Sequence, residues 1–412
     1  MKWLAIAFSI FIVAVIVGAD TGHLPRLIRS LYDFPNGDKV GHLFLYGFLS
    51  LILNLTFVRW LQPKVHRIIL IVSLVLAVLI GLEEWSQFLF ATRTMDIFDL
   101  LASYAGVTAG AMIVKSISSI MTKSKNVFPL RGWVGLALVS IFWTLNWALT
   151  GPRTHWGFFP LWLGYCLIMD ALVFWRTGTS LLARDGRKYI SLFVISAPVW
   201  WLFEVMNLRT QNWDYVGAAQ FTFLQYAFWT TISFTTVIPA VFGSAEFFAS
   251  FDFVKRLKPG PVIGTDKRTT IGFFVAGWVM LALLLIWPRI FFPFIWVSIY
   301  FILEPVNVWM GNRSLAQWTA KGDWRPVIAL WLGVLLTAFF WEMWNYFSYP
   351  KWVYHVAWGG GLHVFEMPLL GYGGYLPFAL ELFALYHLVV GVLGEKQPDY
   401  VRMTASMVEP GS

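Results

Sequence analysis

Runs of about 17–25 apolar residues recur along the chain, the length a helix needs to cross roughly 30 Å of hydrocarbon. They fall near residues 3–18, 42–61, 68–84, 97–114, 133–150, 157–175, 189–207, 226–249, 271–287, 291–309, 327–347 and 376–394. With no water to satisfy the backbone, such runs are stable only as helices. The pattern therefore predicts an all-α, polytopic membrane helix bundle of about 12 transmembrane helices. The first run follows Lys2 and has no small-x-small cleavage site, so it reads as a retained helix rather than a signal peptide.

Basic residues orient the bundle. With twelve spans and a cytoplasmic N-terminus, 22 of the 30 Lys and Arg residues fall inside. Only Arg26, Arg29, Lys39, Arg93, Arg153, Arg209, Arg289 and Lys351 fall outside. That bias predicts both termini on the cytoplasmic side of a bacterial-type inner membrane. It also accounts for the net charge of +8 by attraction to an anionic leaflet, so no nucleic-acid partner is needed. Charged residues are only 13% of the chain, about half the share in a soluble domain. The 24 Trp and 15 Tyr suit interfacial belts. A single cysteine, Cys166, excludes a disulfide framework and a thiolate metal site. No P-loop, dinucleotide fingerprint, zinc motif or serine nucleophile motif occurs, and no cofactor or metal is expected.

Polar residues are rare enough here to be informative. Asp38, Lys39, His42 and Tyr46 open the second run, Glu83, Glu84 and Gln87 close the third, and Arg93, Asp96 and Asp99 precede or open the fourth. The predicted orientation puts all of them on one outer face. His42 and Tyr46 are spaced to share a helix face, as are Glu84 with Gln87 and Asp96 with Asp99. Ionisable groups at such positions are a functional-site hypothesis unless they merely cap helix ends. Arg93 is expected to pair with Glu84 or with Asp96 and Asp99, with His42 in the same group. The words Asp38-Lys39-Val40-Gly41-His42 with Tyr46, Glu84-Trp85-Ser86-Gln87, Arg93, and Asp99 followed by Gly106 resemble the VanZ-like family. The resemblance covers residues 1 to about 120 and implies a four-helix membrane domain with a cell-envelope role, some relatives being linked to lipoglycopeptide antibiotic resistance. It implies no established reaction. Ser103 stands where the family usually has Asn; its hydroxyl can donate and accept but is shorter and cannot bridge as an amide does. Gly106 and Gly110 are spaced as a close-packing seam.

After a linker at 121–130, residues 131–250 and 268–394 read as two copies of one four-span unit, and 395–412 as a short disordered cytoplasmic tail. Trp162, Asp170, Trp175 and Ser180 answer Trp296, Glu304, Trp309 and Ser314 at an offset of 134. Glu204 and Asn207 answer Glu342 and Asn345 at 138; Trp213 and Tyr215 answer Trp352 and Tyr354 at 139. Four spans per copy make these parallel repeats about an axis along the membrane normal. The duplicated word Glu-x-x-Asn, then Trp-x-Tyr, falls at the outer end of the third span. Glu204 and Glu342 are candidate acid and base groups, with Asn207 and Asn345 beside them. Trp213 and Trp352 are expected at headgroup level, at the rim of a shared cleft. Asp170 and Glu304 lie deeper and call for a neutral carboxyl or a buried partner. Segments 216–226 and 355–375, the second rich in glycine, suit a re-entrant or interfacial lid. The Glu-x-x-Asn and Trp-x-Tyr words in four-span units also resemble the membrane lycopene-cyclase type, without a residue-by-residue match.

Three functions follow as expectations. One is an envelope protein binding a membrane lipid or polyprenyl-linked amphiphile at the outer leaflet. A second is an integral-membrane enzyme acting on a polyprenyl or other lipid through paired carboxylates. The third is a transporter, which lacks recognisable ion ligands on broken mid-helix segments.

Overall fold

The computed structural model describes residues 2–23, 28, 37–61, 65–87, 96–123, 126–149, 151–355 and 361–403. Among these, eleven helices are long and apolar enough to cross a membrane. The number is twelve if Pro288–Trp296 and Ser298–Met310, bent by 40°, count as one broken span. The chain is an all-α membrane-type helix bundle. It divides into two compact units: Met1–Lys125 with His363–Phe365, and Asn126–Leu362 with Glu366–Ser412.

The first unit holds α1 (Lys2–Asp20), α2 (Gly37–Leu61), α3 (Val65–Ser86) and α4 (Ile97–Lys123). Helix α4 thus runs into the stretch read as linker. Its glycines let two backbones touch: a Cβ on Gly106 would strike the Leu43 carbonyl, and one on Gly110 would lie 2.5 Å from the Gly47 carbonyl. The seam read at Gly106 and Gly110 therefore closes against α2.

The second unit holds α5 (Leu130–Leu149), α6 (Phe158–Thr177), α7 (Gly186–Thr210), β1 (Trp213–Val216), α8 (Phe223–Phe234), α9 (Val237–Ala249), α10 (Lys267–Ile286), α11 (Ser298–Met310), α12 (Arg325–Asn345), β2 (Lys351–Tyr354) and α13 (Tyr375–Val392). Strands β1 and β2 pair antiparallel, Trp213 opposite Tyr354 and Tyr215 opposite Trp352. Since 213 answers 352 and 215 answers 354, each pair maps onto the other when the copies are exchanged, the signature of an isologous contact about a twofold. Packing repeats the symmetry. Helix α9 packs on α12 and α13 on α7. Trp162 lies 5.4 Å from Trp341, and its counterpart Trp296 lies 5.8 Å from Phe203, ring centre to ring centre.

Two spans are broken. Helices α8 and α9 meet at Thr235-Thr236, where the Ser196 hydroxyl donates to the Phe234 carbonyl (2.6 Å) and accepts from the Ile238 amide (3.1 Å). The other break precedes α11. Pro288 and Pro293 cannot donate backbone bonds, and Phe292–Trp296 forms a tighter 3-10 turn. Expecting one continuous span near 291–309 missed this break, because apolar periodicity does not register a change of axis.

The C-terminal stretch also departs from expectation. Residues 395–403 are docked rather than disordered: the Tyr400 hydroxyl donates to the Leu181 carbonyl (3.0 Å), and Arg313 donates to the Pro398 carbonyl (3.1 Å). Tyr400 and Met403 are buried. Low hydropathy hid two anchoring side chains.

At Gly333 a Cβ would sit 2.5 Å from the Ala245 amide nitrogen, backbone that cannot swing aside. Gly333→Leu should cost at least about 1–3 kcal/mol and lower the thermal midpoint in detergent by several degrees. Gly272→Ala, where a Cβ meets nothing within 4 Å, should leave it unchanged or raised.

Candidate functional site

In the first unit, the ends of α2, α3 and α4 bring the polar residues together. Lys39 is the hub: its ammonium lies 2.8 Å from Asp38, 2.9 Å from Asp96 and 3.1 Å from Asp99. His42 Nδ1 is 3.0 Å from the Ser103 hydroxyl, and its Nε2 is 4.0 Å from Asp99. Ser103, in place of the expected Asn, thus still reaches the histidine. The Tyr46 hydroxyl donates to Glu83 (3.2 Å), and Gln87 donates to Glu83 and Glu84. Glu84 and Gln87 are buried, and Glu84 accepts the Asp96 amide at 3.0 Å. Arg93, read as the pairing cation, lies outside the described residues.

Asp38, Asp96 and Asp99 are close enough to offer ligands to one cation, but Lys39 already supplies positive charge to all three. The Lys39 hydrogen bond holds the Asp96 carboxyl below its usual range.

In the second unit, the ribbon brings both duplicated words to one end of the bundle, here called the ribbon end. The asparagines do the same job in each copy. Asn207 Nδ2 donates to the Trp213 carbonyl (2.8 Å) and its Oδ1 accepts the Trp213 amide (3.3 Å). Asn345 donates to the Trp352 carbonyl (2.7 Å) and accepts the Trp352 amide (2.9 Å). Each asparagine therefore fastens its strand to the end of its own helix. This is a positioning role.

The glutamates take the aromatic side chains. Glu204 accepts from the Trp200 indole (3.0 Å), the Trp213 indole (3.1 Å) and the Tyr215 hydroxyl (2.6 Å). Glu342 accepts from the Tyr354 hydroxyl (2.7 Å) and the Tyr375 hydroxyl (2.5 Å), and the Trp352 indole donates to Tyr354 (2.9 Å). The copies differ in burial. Glu204 is half-buried, whereas Glu342 and Asn345 are wholly buried. Burial, and then the neighbouring carboxylate, pushes the Tyr215 and Tyr354 phenols well above their usual range, so both stay protonated donors at any physiological pH.

Between the repeats lies a cavity of about 360 Å³. It is lined by Trp200, Trp213, Tyr215, Tyr226 and Trp229 of the first copy and by Trp296, Trp341, Trp352, Tyr354 and Tyr375 of the second, among others. The volume is within the range of small-molecule sites. The glutamates stand behind this wall, touching the aromatic groups that face the cavity. Trp213, expected at headgroup level, is instead 3% exposed and stacked 5.7 Å from Trp296. Trp352 is half-buried against Phe158. The ribbon folds the tryptophans inward, which the helix-end position alone does not reveal. Both expected lid segments reach the cavity, the first through Phe221 and Tyr226 and the second through residues that include Met367, Leu370 and Gly374, while 356–360 lie outside the described residues. His355 pairs with Asp214 at 3.0 Å on the exposed side of the ribbon.

The deeper carboxyls sit at the other end of the unit, which carries Arg184 and Arg313 and is here called the basic end. Asp170 accepts from Arg131 (2.6 Å), Ser180 (3.0 Å) and the Leu182 amide (2.8 Å). Glu304 accepts the Ala316 amide (2.6 Å), the bond equivalent to that from Leu182.

Sequence reading missed Tyr375, Trp200 and Trp341. Tyr375 has a functional counterpart in Tyr226, which lies 6.0 Å from Tyr215, but their offset of 149 falls outside the drift that revealed the repeat. Trp200 sits four residues before Glu204, a helix-face spacing that was a usable signal.

Comparison with protein-family models, with curated proteins and with solved structures gives no match to this chain.

Ionised Asp96 is favoured by folding, because its folded value is depressed by Lys39. The contribution is complete above the ordinary carboxylate value and is lost as pH falls through the lowered folded one. The thermal midpoint of the wild-type protein should therefore fall on acidification below about pH 4. Lys39→Met should lower the midpoint at pH 7 and flatten that acid limb. An unchanged limb in the variant would remove Lys39 as its cause.

Proposed function

We propose that the second unit binds the apolar part of a membrane amphiphile, of polyprenyl or related lipid type, in the cavity between its two repeats. The observation carrying this reading is the aromatic wall contributed by both copies, in which Tyr215, Tyr354 and Tyr375 are each hydrogen-bonded to a glutamate behind it. Aromatic surface offers large apolar contact with fixed geometry. The tyrosine hydroxyls give a polar anchor where a headgroup or a double bond would lie.

The duplicated Tyr–Glu pairs favour a second reading, an enzyme that acts on the same lipid by proton transfer. Each tyrosine lies between the cavity and a carboxyl, so it can give its proton to the lipid and take one from the glutamate, which becomes the carboxylate that the same donors then hold. For the first unit we propose a VanZ-like envelope role. Its support is that Asp38, Lys39, His42, Tyr46, Glu84, Gln87, Asp96 and Asp99 form one connected group rather than scattered helix caps.

Lipid extracted from protein purified in mild detergent should contain one dominant polyprenyl-type species. Ser233→Trp, which places an indole in the cavity, should cut the retained amount by about tenfold or more, a loss near 1.4 kcal/mol. A wild-type protein that retains only bulk phospholipid, in the same amount as the variant, rejects the binding site. Glu204→Gln and Glu342→Gln should keep the lipid. If it is turned over, they should reduce turnover by on the order of 10²–10⁴-fold; an undiminished rate would leave binding alone.

A further inference from the structure

Helix α11 begins inside the bundle, so its first amides have no helical partner. They are met by Glu381, from α13: its Oε1 accepts the Ile299 amide at 3.1 Å. Glu381 is wholly buried, and its Oε2 has no partner. The Ser298 hydroxyl, next to Ile299, is also wholly buried and unpartnered. Three more buried oxygens lack partners towards the basic end of the same helix: Glu304 Oε2, Asn312 Oδ1 and Ser314 Oγ. Of the 17 such atoms among the described residues, these five cluster on one helix and its immediate neighbours, and buried oxygens in a row are where hydrogen-bonding guests such as water are held.

The first repeat shows what the same place is like when it is merely structural. Asp170 answers Glu304 and Ser180 answers Ser314. There the carboxyl is neutralised by Arg131 and bonded by the serine. Among the described residues, neither Glu304 nor Glu381 forms an ion pair. A buried carboxyl without a cation is carried as the neutral acid, with a proton to give and an oxygen to receive one.

We propose that Glu304 and Glu381 form a proton-exchange path along α11, from the basic end of the second repeat to the helix break beneath the cavity. This goes beyond lipid binding and does not depend on it. Glu304 and Ile299 are five residues apart, about 7.5 Å along the helix, a gap that two or three hydrogen-bonded waters span. The proton of Glu304 sits on its free Oε2, because Oε1 accepts the Ala316 amide; Oε2 passes that proton to the water chain towards Glu381 and takes another from water at the basic end, which restores the neutral acid. The same exchange passes to Glu381, so each carboxyl stays neutral and no charge is stranded. The Phe292–Trp296 turn, which precedes the break, supplies Phe292, Pro293 and Trp296 to the cavity wall.

Infrared spectroscopy of the full-length protein in lipid nanodiscs tests this without any added ligand. The wild type should show a protonated-carboxyl band that is lost in Glu381→Gln, a change that keeps the acceptor for Ile299. On transfer to deuterium oxide, that band should shift promptly in the wild type and at least about tenfold more slowly in Glu304→Leu. Glu304→Gln, which keeps the acceptor for Ala316, gives the same reading if the leucine variant does not fold. No band attributable to Glu381, or an exchange rate unaltered by the Glu304 substitutions, would overturn the proposal and leave Glu381 as a helix cap.

Discussion

The pairing of Trp213–Val216 with Lys351–Tyr354 is the contact on which the second unit depends. Four residues from each copy form a short antiparallel ribbon, and an isolated ribbon of this size has little stability in water. Here it is pinned at both ends by Asn207 and Asn345, each of which takes both backbone groups of the tryptophan that opens its Trp-x-Tyr word. The ribbon therefore inherits the rigidity of α7 and α12. Because the pairing is isologous, it also fixes the two copies about a common axis, so that both Glu-Tyr pairs arrive at the same cavity.

A carboxyl set behind an apolar wall needs donors to replace the water it has lost. Trp and Tyr suit the task, since each brings one donor on a large apolar body. Glu204 and Glu342 are surrounded by such donors, which lets an acidic group stand behind an apolar wall without a lysine or arginine entering it. The first unit uses the opposite solution, a single ammonium shared by three aspartates at a helix end near water. One arrangement preserves an apolar cavity with polar points; the other makes a charged cluster whose balance follows pH.

Much of this was legible in the residues. Apolar run length located the spans, because the bilayer imposes it. Offsets that stay fixed within a helix and drift only across loops, 134 from 162 to 296 and 138 from 204 to 342, exposed the duplication, since helices resist insertions and loops absorb them. That Asp38, His42, Glu84 and Asp99 share one face was legible from the order of the spans, which sends three successive helix ends to the same side. What was hidden was three-dimensional. A ribbon only four residues long carries no alternation strong enough to declare itself, so Trp213 read as an interface marker when it is a core residue. The central place of Lys39 depends on the approach of three helix ends. Glu381 looked like one more residue in an apolar run, because its partner is the start of a helix that the hydropathy pattern did not divide. Docking of residues 395–403 rests on Tyr400 and Met403 alone, too few for composition to detect.

Enclosure of one amphiphile by the two repeats can be seen in a cryo-electron-microscopy map of the protein in nanodiscs made from its native membrane. The account predicts elongated, non-protein density within the cavity between the repeats, in contact with Trp213, Trp296 and Trp352 and reaching the hydroxyls of Tyr215, Tyr354 or Tyr375. A well-resolved cavity that is closed by its own side chains, with ordered lipid only on the outer surface of the bundle, would contradict it.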